Sequence, residues 1–324
     1  MKNDLVNSLF FESTDHAELI EICASFRSGT AAGFDNIYMD IVKKTIDIIC
    51  KPLAHIINLS LSNGVVPKQL KIARVLPIFK SGDQELYVNY RPVSVLPVIS
   101  KLMEKVVYKR LYSYLIKNNI LFHNQYGFRK NVSTSHALIH LYDKISEAID
   151  KKEITIGVFI DLSKAFDTVN HEILLKKLQY YGIRGVALNW FEDYLSDRQQ
   201  FVNYNGHLSS FRQVKCGVPQ GSVLGPLLFL IYVNDICNVL TSSSLDIILF
   251  ADDTSIFFSC NDLNTLSFTL NNELNKLSDW FSANKLSVNI KKSKYIVFRP
   301  RQIRQSINIK INLCNQELVR VEET

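Results

Sequence analysis

Three carboxylates stand where they could do chemistry: Asp161, which ends the near-continuous β-rich run 154–160, and the adjacent pair Asp252 and Asp253. The pair lies inside LDIILFADDTSIFFS (245–259), where apolar runs at 245–250 and 256–258 flank Ala251-Asp252-Asp253-Thr254. Runs of that length broken by a polar pair predict a β-hairpin with both acids at its tip. Adjacent acids repel, and uncompensated charge beside apolar surface is costly, so the tip calls for a cation. An ordinary Asp-Asp turn also accounts for the dipeptide. A divalent ion is the stronger reading if the strand ending at Asp161 runs beside the hairpin. Hard ions such as Mg²⁺ take one or two protein carboxylates and complete their shell with water and phosphate oxygens. Three carboxylates suffice for two ions, and ions about 3.5–4 Å apart clamp both the attacking and the leaving oxygen of a phosphoryl displacement.

Other candidate groups are cations and a loop. Lys71–Lys80 reads as a strand with basic ends, Ser81-Gly82-Asp83 as a turn and Tyr90–Val95 as the returning strand, a hairpin from which Lys80 and Arg91 either meet one anion or stand solvated. Gly217-Val218-Pro219-Gln220-Gly221-Ser222 is either a plain loop or one whose glycines admit a ligand close to the backbone, ahead of an apolar helix over 224–236. Lys285, Lys291, Lys292, Lys294, Arg299, Arg301, Arg304 and Lys310 form a stripe without an acid, a phosphate footprint or a solvated face. His136 and His140 lie one turn apart without the glutamate of a zincin helix and read as structural.

The elements that must position these groups make a chain of 324 residues, 47% hydrophobic and 21% charged, the mix of a soluble globular protein with two domains or lobes. The net charge of +6 permits a polyanionic partner without requiring one. Six cysteines without a CxxC pair read as reduced, mostly buried thiols of an intracellular protein. No signal peptide is evident, and the longest apolar run, 223–233, is too short to span a membrane. Helices are expected up to Asn63, one opened by Gly33-Phe34-Asp35 with Asp35 as cap, and then over 100–118, from a cap at Ser133 or Ser135 to 149, over 172–181, around 190–195 and over 263–281. Short strands are expected at 201–204 and 211–215 about Asn205-Gly206, and over 286–298.

The blocks NGVVPKQLKIARVLPIFKSGD, NYRPVSVLPVISKLMEK, QYGFRKNVST, DLSKAFDTVNH, GVPQGSVLGPLLFLIYVNDI, FADD and NKLSVNIKKSK follow one another in the order that resembles the reverse transcriptase domain of non-LTR (LINE-type) retrotransposons, most like the jockey-related elements. The resemblance runs from Gly33 to about Val321. It implies an α+β right-hand polymerase, fingers and palm, with an antiparallel palm sheet packed on helices: a helical extension over 1–60 and the fingers and palm over 61–324. It implies RNA-directed DNA polymerase activity with two Mg²⁺ or Mn²⁺ ions, held by Asp161 and Asp252 with Asp253 completing the cluster and the Leu162 carbonyl within reach. Phe166 matches the aromatic gate that excludes a 2′-hydroxyl, and Asp167 is given a structural role. Gln220 and Gly221 match the loop at the templating base and incoming nucleotide, Lys80 and Arg91 the cations on the triphosphate, and Lys292 the basic residue that assists the pyrophosphate. The implied partners are an RNA template, a DNA primer and dNTPs. With its last residue at Thr324, the sequence is expected to end before the family's primer grip and thumb and to lack the usual preceding endonuclease and an RNase H region. It is therefore expected to be a fragment of a longer ORF or a decayed copy, weakly and distributively active. Nuclear localisation follows from the resemblance alone. The alternatives are a catalytically incompetent nucleic-acid-binding fragment, favoured by the truncation, and a group II intron maturase, disfavoured by the AFDTVNH and GVPQGSVLGPLLF blocks.

Overall fold

The computed structural model describes residues 7–242, 244–302, 307 and 309–321. In chain order its elements are α1 (His16–Ser25), α2 (Met39–Asn63), β1 (Ile72–Phe79), β2 (Tyr90–Val95), α3 (Val98–Lys117), α4 (Thr134–Asp150), β3 (Ile154–Ile160), α5 (His171–Tyr180), α6 (Val186–Leu195) and β4 (Gln199–Tyr204). Then follow β5 (His207–Leu208), β6 (Arg212–Gln213), α7 (Gly225–Val233), β7 (Leu245–Phe250), β8 (Asp253–Cys260), α8 (Leu263–Ala283), β9 (Lys294–Phe298), β10 (Asn312–Leu313), β11 (Gln316–Glu317) and β12 (Val319–Arg320). The fold is mixed α+β, in two compact units: Met1–Ile120 with Val169–Tyr232, and Leu121–Thr168 with Val233–Thr324.

In the first unit, α2 buries Val42, Ile46, Leu53, Ile57 and Leu61 on one face and stops at Gly64, which takes the left-handed conformation (φ 68°) that glycine adopts without a Cβ penalty. Trp190 of α6 is fully buried and donates its indole N–H to Ser60 of α2 at 3.0 Å, so the largest side chain of that core keeps its polar atom satisfied. The sheet order is β2-β1-β4-β5, with β6 also on β4; β1 runs antiparallel to β2 and parallel to β4. Glu104 of α3 is buried, with Oε2 accepting the N–H groups of Val223 (2.6 Å) and Leu224 (3.2 Å) and Oε1 accepting the O–H of Tyr194 (3.1 Å). It thereby takes up backbone donors ahead of α7 that would otherwise be orphaned. Burial pushes its carboxyl above the ordinary range, against the opposing pull of Arg198 and these hydrogen bonds.

In the second unit the sheet order is β12-β9-β3-β8-β7, with β3 central and antiparallel to both neighbours. Its run ITIGVFI is apolar on both faces because both are covered, which is how a central strand reads. Helix α8 starts at Asp262, whose carboxylate accepts the Thr265 N–H, and presents Leu266, Leu270, Leu274, Leu277 and Phe281 at helical spacing. It packs on β8. Each such buried leucine contributes about 1.5–3 kcal/mol relative to exposure, so this ridge holds the hairpin's inner face in register.

Several expectations are corrected. Asp35 does not cap a helix: α2 starts at Tyr38 without a side-chain cap, and the Asp35 carboxylate accepts the Ile37 N–H in a local turn. Ser133 takes the N-cap position of α4 as expected, but its hydroxyl pairs with His136 in place of a helix N–H. The hairpin about Asn205-Gly206 returns through 207–208, and only 212–213 of the second expected strand pairs, also with β4. The strand expected over 286–298 begins at Lys294, and the sheet is not wholly antiparallel, since β12 joins β9 in parallel. Two of the six cysteines are buried, not most: Cys23 and Cys50, while Cys216 is exposed. Arg304 of the basic stripe lies outside the described residues. Among the described residues no helix is long and apolar enough to cross a membrane.

Candidate active site

In the second unit, the β7–β8 register pairs Phe250 with Asp253, so Ala251 and Asp252 alone form the tip. Ala251 sits at φ 58°, a left-handed backbone that a residue with a Cβ adopts only under outside constraint. The constraint is the segment 124–127. Its Tyr126 N–H donates to the Leu249 carbonyl (2.8 Å), Leu249 N–H donates to the Asn124 carbonyl (2.9 Å), and Gln125 forms a parallel bridge with Leu249. The Gln125 Oε1 accepts the Ala251 N–H at 3.0 Å.

The β3–β8 register pairs Ile160 with Thr254, and one further step sets Asp161 opposite Asp253. Asp161 is fixed by its own backbone: its N–H donates to Ser293 Oγ at 3.1 Å and its carbonyl accepts the Asn289 N–H at 2.8 Å. The stretch 287–293 therefore runs as a backing turn along 161–163, with Leu162 bridged to Val288, and brings Lys292 Nζ to 4.0 Å from Asp161 Oδ2. That exposed pair is worth about 0–1 kcal/mol and does not neutralise the cluster. Partial burial, then the charges of Asp252 and Asp161, push the Asp253 carboxyl above its usual range.

A divalent cation fits this cluster by charge and donor type: three mutually repelling hard oxygen donors beside one exposed lysine. The fit is not a finished coordination shell, since among the described residues no three acidic, histidine or cysteine side chains form a ligating group. Beside the acids, a cavity of about 600 Å³ opens between α4 and the sheet, walled by Leu138, Leu141, Phe159, Ile248 and Phe257 and lined also by Asp161, Asp253 and Lys292. Phe166 lies in the same unit, in the short helical turn 165–167 entered through Lys164 at φ 51°. Its ring meets that of Phe128 edge-on, centroids 6.0 Å apart.

The remaining candidates fall in the first unit. Arg91 pairs across the ribbon with Ile78, and the two-residue period puts Lys80 on the same face. Both cations are exposed, and among the described residues neither has an ion-pair partner. The loop at Gly217–Ser222 is tied to β2, the Gln220 carbonyl accepting the Ser94 N–H at 2.8 Å. Gly221 sits at φ 126°, and a Cβ there would come within 2.4 Å of the Ser94 carbonyl, so only glycine fits. Gly217 is anchored at 2.7 Å through its N–H to the Val169 carbonyl and at 2.8 Å through its own carbonyl to His171 Nε2. Burial lowers the His171 pKa, the Gly217 hydrogen bond opposes this and Arg198 adds to it.

The structure thus gathers Asp161, Asp252, Asp253 and Lys292 in one unit, and Arg91 with Gln220 and Gly221 in the other. The family model described as reverse transcriptase (RNA-dependent DNA polymerase) matches residues 78–311, which include every one of these positions. The chain belongs to the reverse transcriptase family. It is 33% identical over 288 residues to the probable RNA-directed DNA polymerase from transposon BS of Drosophila melanogaster, 85% of this chain and 31% of that protein. Similarity to the RNA-directed DNA polymerase from mobile element jockey of the same fly is 31% over 77% of this chain and 28% of that protein. To the Pol polyprotein of the type-1 retrotransposable element R2 of Popillia japonica it is 26%, over 82% of this chain and 37% of that protein. This reverse transcriptase chain therefore spans about a third of the length of these relatives. Sequence reasoning passed over Gln125, Ser293 and Glu104, whose roles are long-range. The available signal was the glutamine two residues before a glycine in QYGFR, a polar residue close to one that lets backbones approach.

Proposed function

We propose that this chain is the catalytic part of an RNA-directed DNA polymerase of a non-LTR retrotransposon, transferring a nucleotide from a dNTP to a DNA primer 3′-hydroxyl on an RNA template. The observation that carries this is the register that sets Asp161 at the end of β3 opposite Asp253, one residue from Asp252. In this reading residues 61–324 make up fingers and palm, with the sheet around β3 as palm and the β1–β2 ribbon as fingers, and 1–60 is a helical extension.

Asp161, Asp252 and Asp253, with the Leu162 carbonyl, would hold two Mg²⁺ or Mn²⁺ ions. When bound, such ions lower the pKa of the attacking hydroxyl and neutralise charge on the leaving pyrophosphate. The 3′-oxygen forms its bond to the α-phosphorus as the bond to the pyrophosphate oxygen breaks. Lys80 and Arg91 bind the triphosphate; as unpaired exposed cations they need break no ion pair to do so. Gln220 and Gly221 offer backbone at the nascent base pair, and Lys292 donates to the departing pyrophosphate. Phe166 stands under the sugar as the wall that rejects a 2′-hydroxyl, a task that bulk alone can perform. The apolar-walled cavity beside the acids offers a nucleoside-sized space.

The test is single-nucleotide extension of a DNA primer on an RNA template with Mg²⁺, comparing the chain with its Asp252→Asn, Asp253→Asn double variant. Extension by the first and loss in the second is expected. Template-primer binding without extension by either would leave a non-catalytic binding fragment.

A further inference from the structure

The segment around Gln125 touches the acidic turn but has no part in the chemistry described above. Gln125 is 2% exposed, and its Oε1 accepts two backbone N–H groups, Gly127 at 2.7 Å and Ala251 at 3.0 Å. Its Nε2 is buried without a hydrogen-bond partner. A buried amide that uses its acceptor twice and its donor not at all is held there for the acceptor. At Gly127 a Cβ would stand 2.2 Å from the Ala251 nitrogen, so glycine is what lets the segment lie against the turn. The next residue, Phe128, is held at φ 53° with its ring edge-on to Phe166. One four-residue stretch therefore touches both the backbone that aims Asp252 and the aromatic proposed as the sugar gate.

We propose that Gln125–Phe128 is a positioning strap: Gln125 and Gly127 fix the left-handed Ala251 and so the direction of the Asp252 carboxylate, and Phe128 seats Phe166. The consequences for catalysis rest on the polymerase reading, whereas the hold on the Ala251 backbone does not. Gln125→Met keeps the volume and removes the acceptor. Gln125→Glu keeps the acceptor for both N–H groups and gives up a donor that makes no bond.

The experiment is amide hydrogen exchange at Ala251, with single-nucleotide extension, in the whole chain. Gln125→Met is expected to speed exchange at Ala251 and lower kcat, each about tenfold or more, with the dNTP KM and template-primer Kd within about twofold; Gln125→Glu keeps exchange at Ala251 near that of the unsubstituted chain, while the carboxylate it adds beside the acids lowers kcat. If Gln125→Met loses protection throughout α8 it has unfolded, and Gln125→Asn, polar but one methylene short, takes its place with the same expectations. Phe128→Ala is expected to lower the preference for dNTP over rNTP about tenfold. A methionine variant that behaves like the original, or a glutamate variant whose Ala251 exchanges as fast as in methionine, overturns the strap; an unchanged sugar preference in Phe128→Ala overturns its Phe166 half. Should the unsubstituted chain add no nucleotide, the polymerase reading falls and exchange at Ala251 alone decides: faster in Gln125→Met than in Gln125→Glu upholds the strap, and equal rates overturn it.

Discussion

The acidic turn of one unit and the cationic ribbon of the other hold their charges in opposite ways. Around Asp161 and Asp252 nearly every backbone group is tied: Gln125 holds Ala251, Ser293 and Asn289 hold Asp161, and the 287–293 stretch lies along 161–163. Lys80 and Arg91 stand exposed at the far end of the β1–β2 pair, beyond the residues of β1 that also pair with β4, and are held by the β1–β2 ladder and the bond from the Lys80 N–H to the Asn89 carbonyl. The difference follows from the ligands each would meet. Carboxylates that share cations must keep their positions to within a fraction of an ångström, and their mutual repulsion has to be resisted by the backbone. Cations on long stems reach a triphosphate by their own rotation and need little support. The backbone is tied where, in the proposed reaction, bonds would change, and exposed long stems stand where charge would be gathered.

The largest expected effect sits on the tied side. Asp252→Asn or Asp161→Asn should lower single-nucleotide extension about a thousandfold or more while template-primer affinity changes little, measured by rapid-quench kinetics and anisotropy. Next is the buried carboxylate that supports the other unit. Glu104→Ala leaves the Val223 and Leu224 N–H groups and the Tyr194 hydroxyl without their acceptor and should cost about 1–3 kcal/mol of stability for each buried donor left unsatisfied, read in urea melts. On the exposed side, Lys80→Ala and Arg91→Ala should each raise the dNTP KM about tenfold with melting unchanged, an effect that shrinks as salt is added. If either cation substitution lowers kcat without touching KM, the comparison breaks.

The smallest effect is a pH dependence. His171 has its pKa lowered from 6.5 in the folded chain, chiefly by burial, so its contribution to stability is present above the unfolded value and is lost as pH falls from there through the folded pKa. Melting of the unsubstituted chain should fall between pH 7.5 and 5.5 more than that of His171→Gln, and equal falls would count against the burial of a neutral His171.

The sequence made the second unit's frame legible because its signals are local. The run 154–160 could only be a covered strand, FADD could only interrupt a hairpin, and α8 repeats leucine at helical spacing. Asp161 and Asp252 were therefore both placed at the ends of strands, and only their adjacency awaited the sheet order β9-β3-β8-β7. What was not legible depends on distant partners. Residues 287–293 have strand composition, yet their backbone bonds go to Asp161 and Ser163, which bends them into a turn. Ser133 and Asp35 have cap chemistry but found His136 and a local turn instead. Gln125 lies in a loop whose clue is a glycine two residues on, and its partner Ala251 is 126 residues away.

The central claim is that Asp161, Asp252 and Asp253 act together to hold divalent cations. Its most direct test is a Mn²⁺ titration of the chain with template-primer and dNTP, followed by electron paramagnetic resonance of the free ion. Two ions taken up by the unsubstituted chain, with uptake lost or halved in Asp161→Asn and in the Asp252→Asn, Asp253→Asn variant, is the predicted result. Identical titrations for all three chains would contradict it.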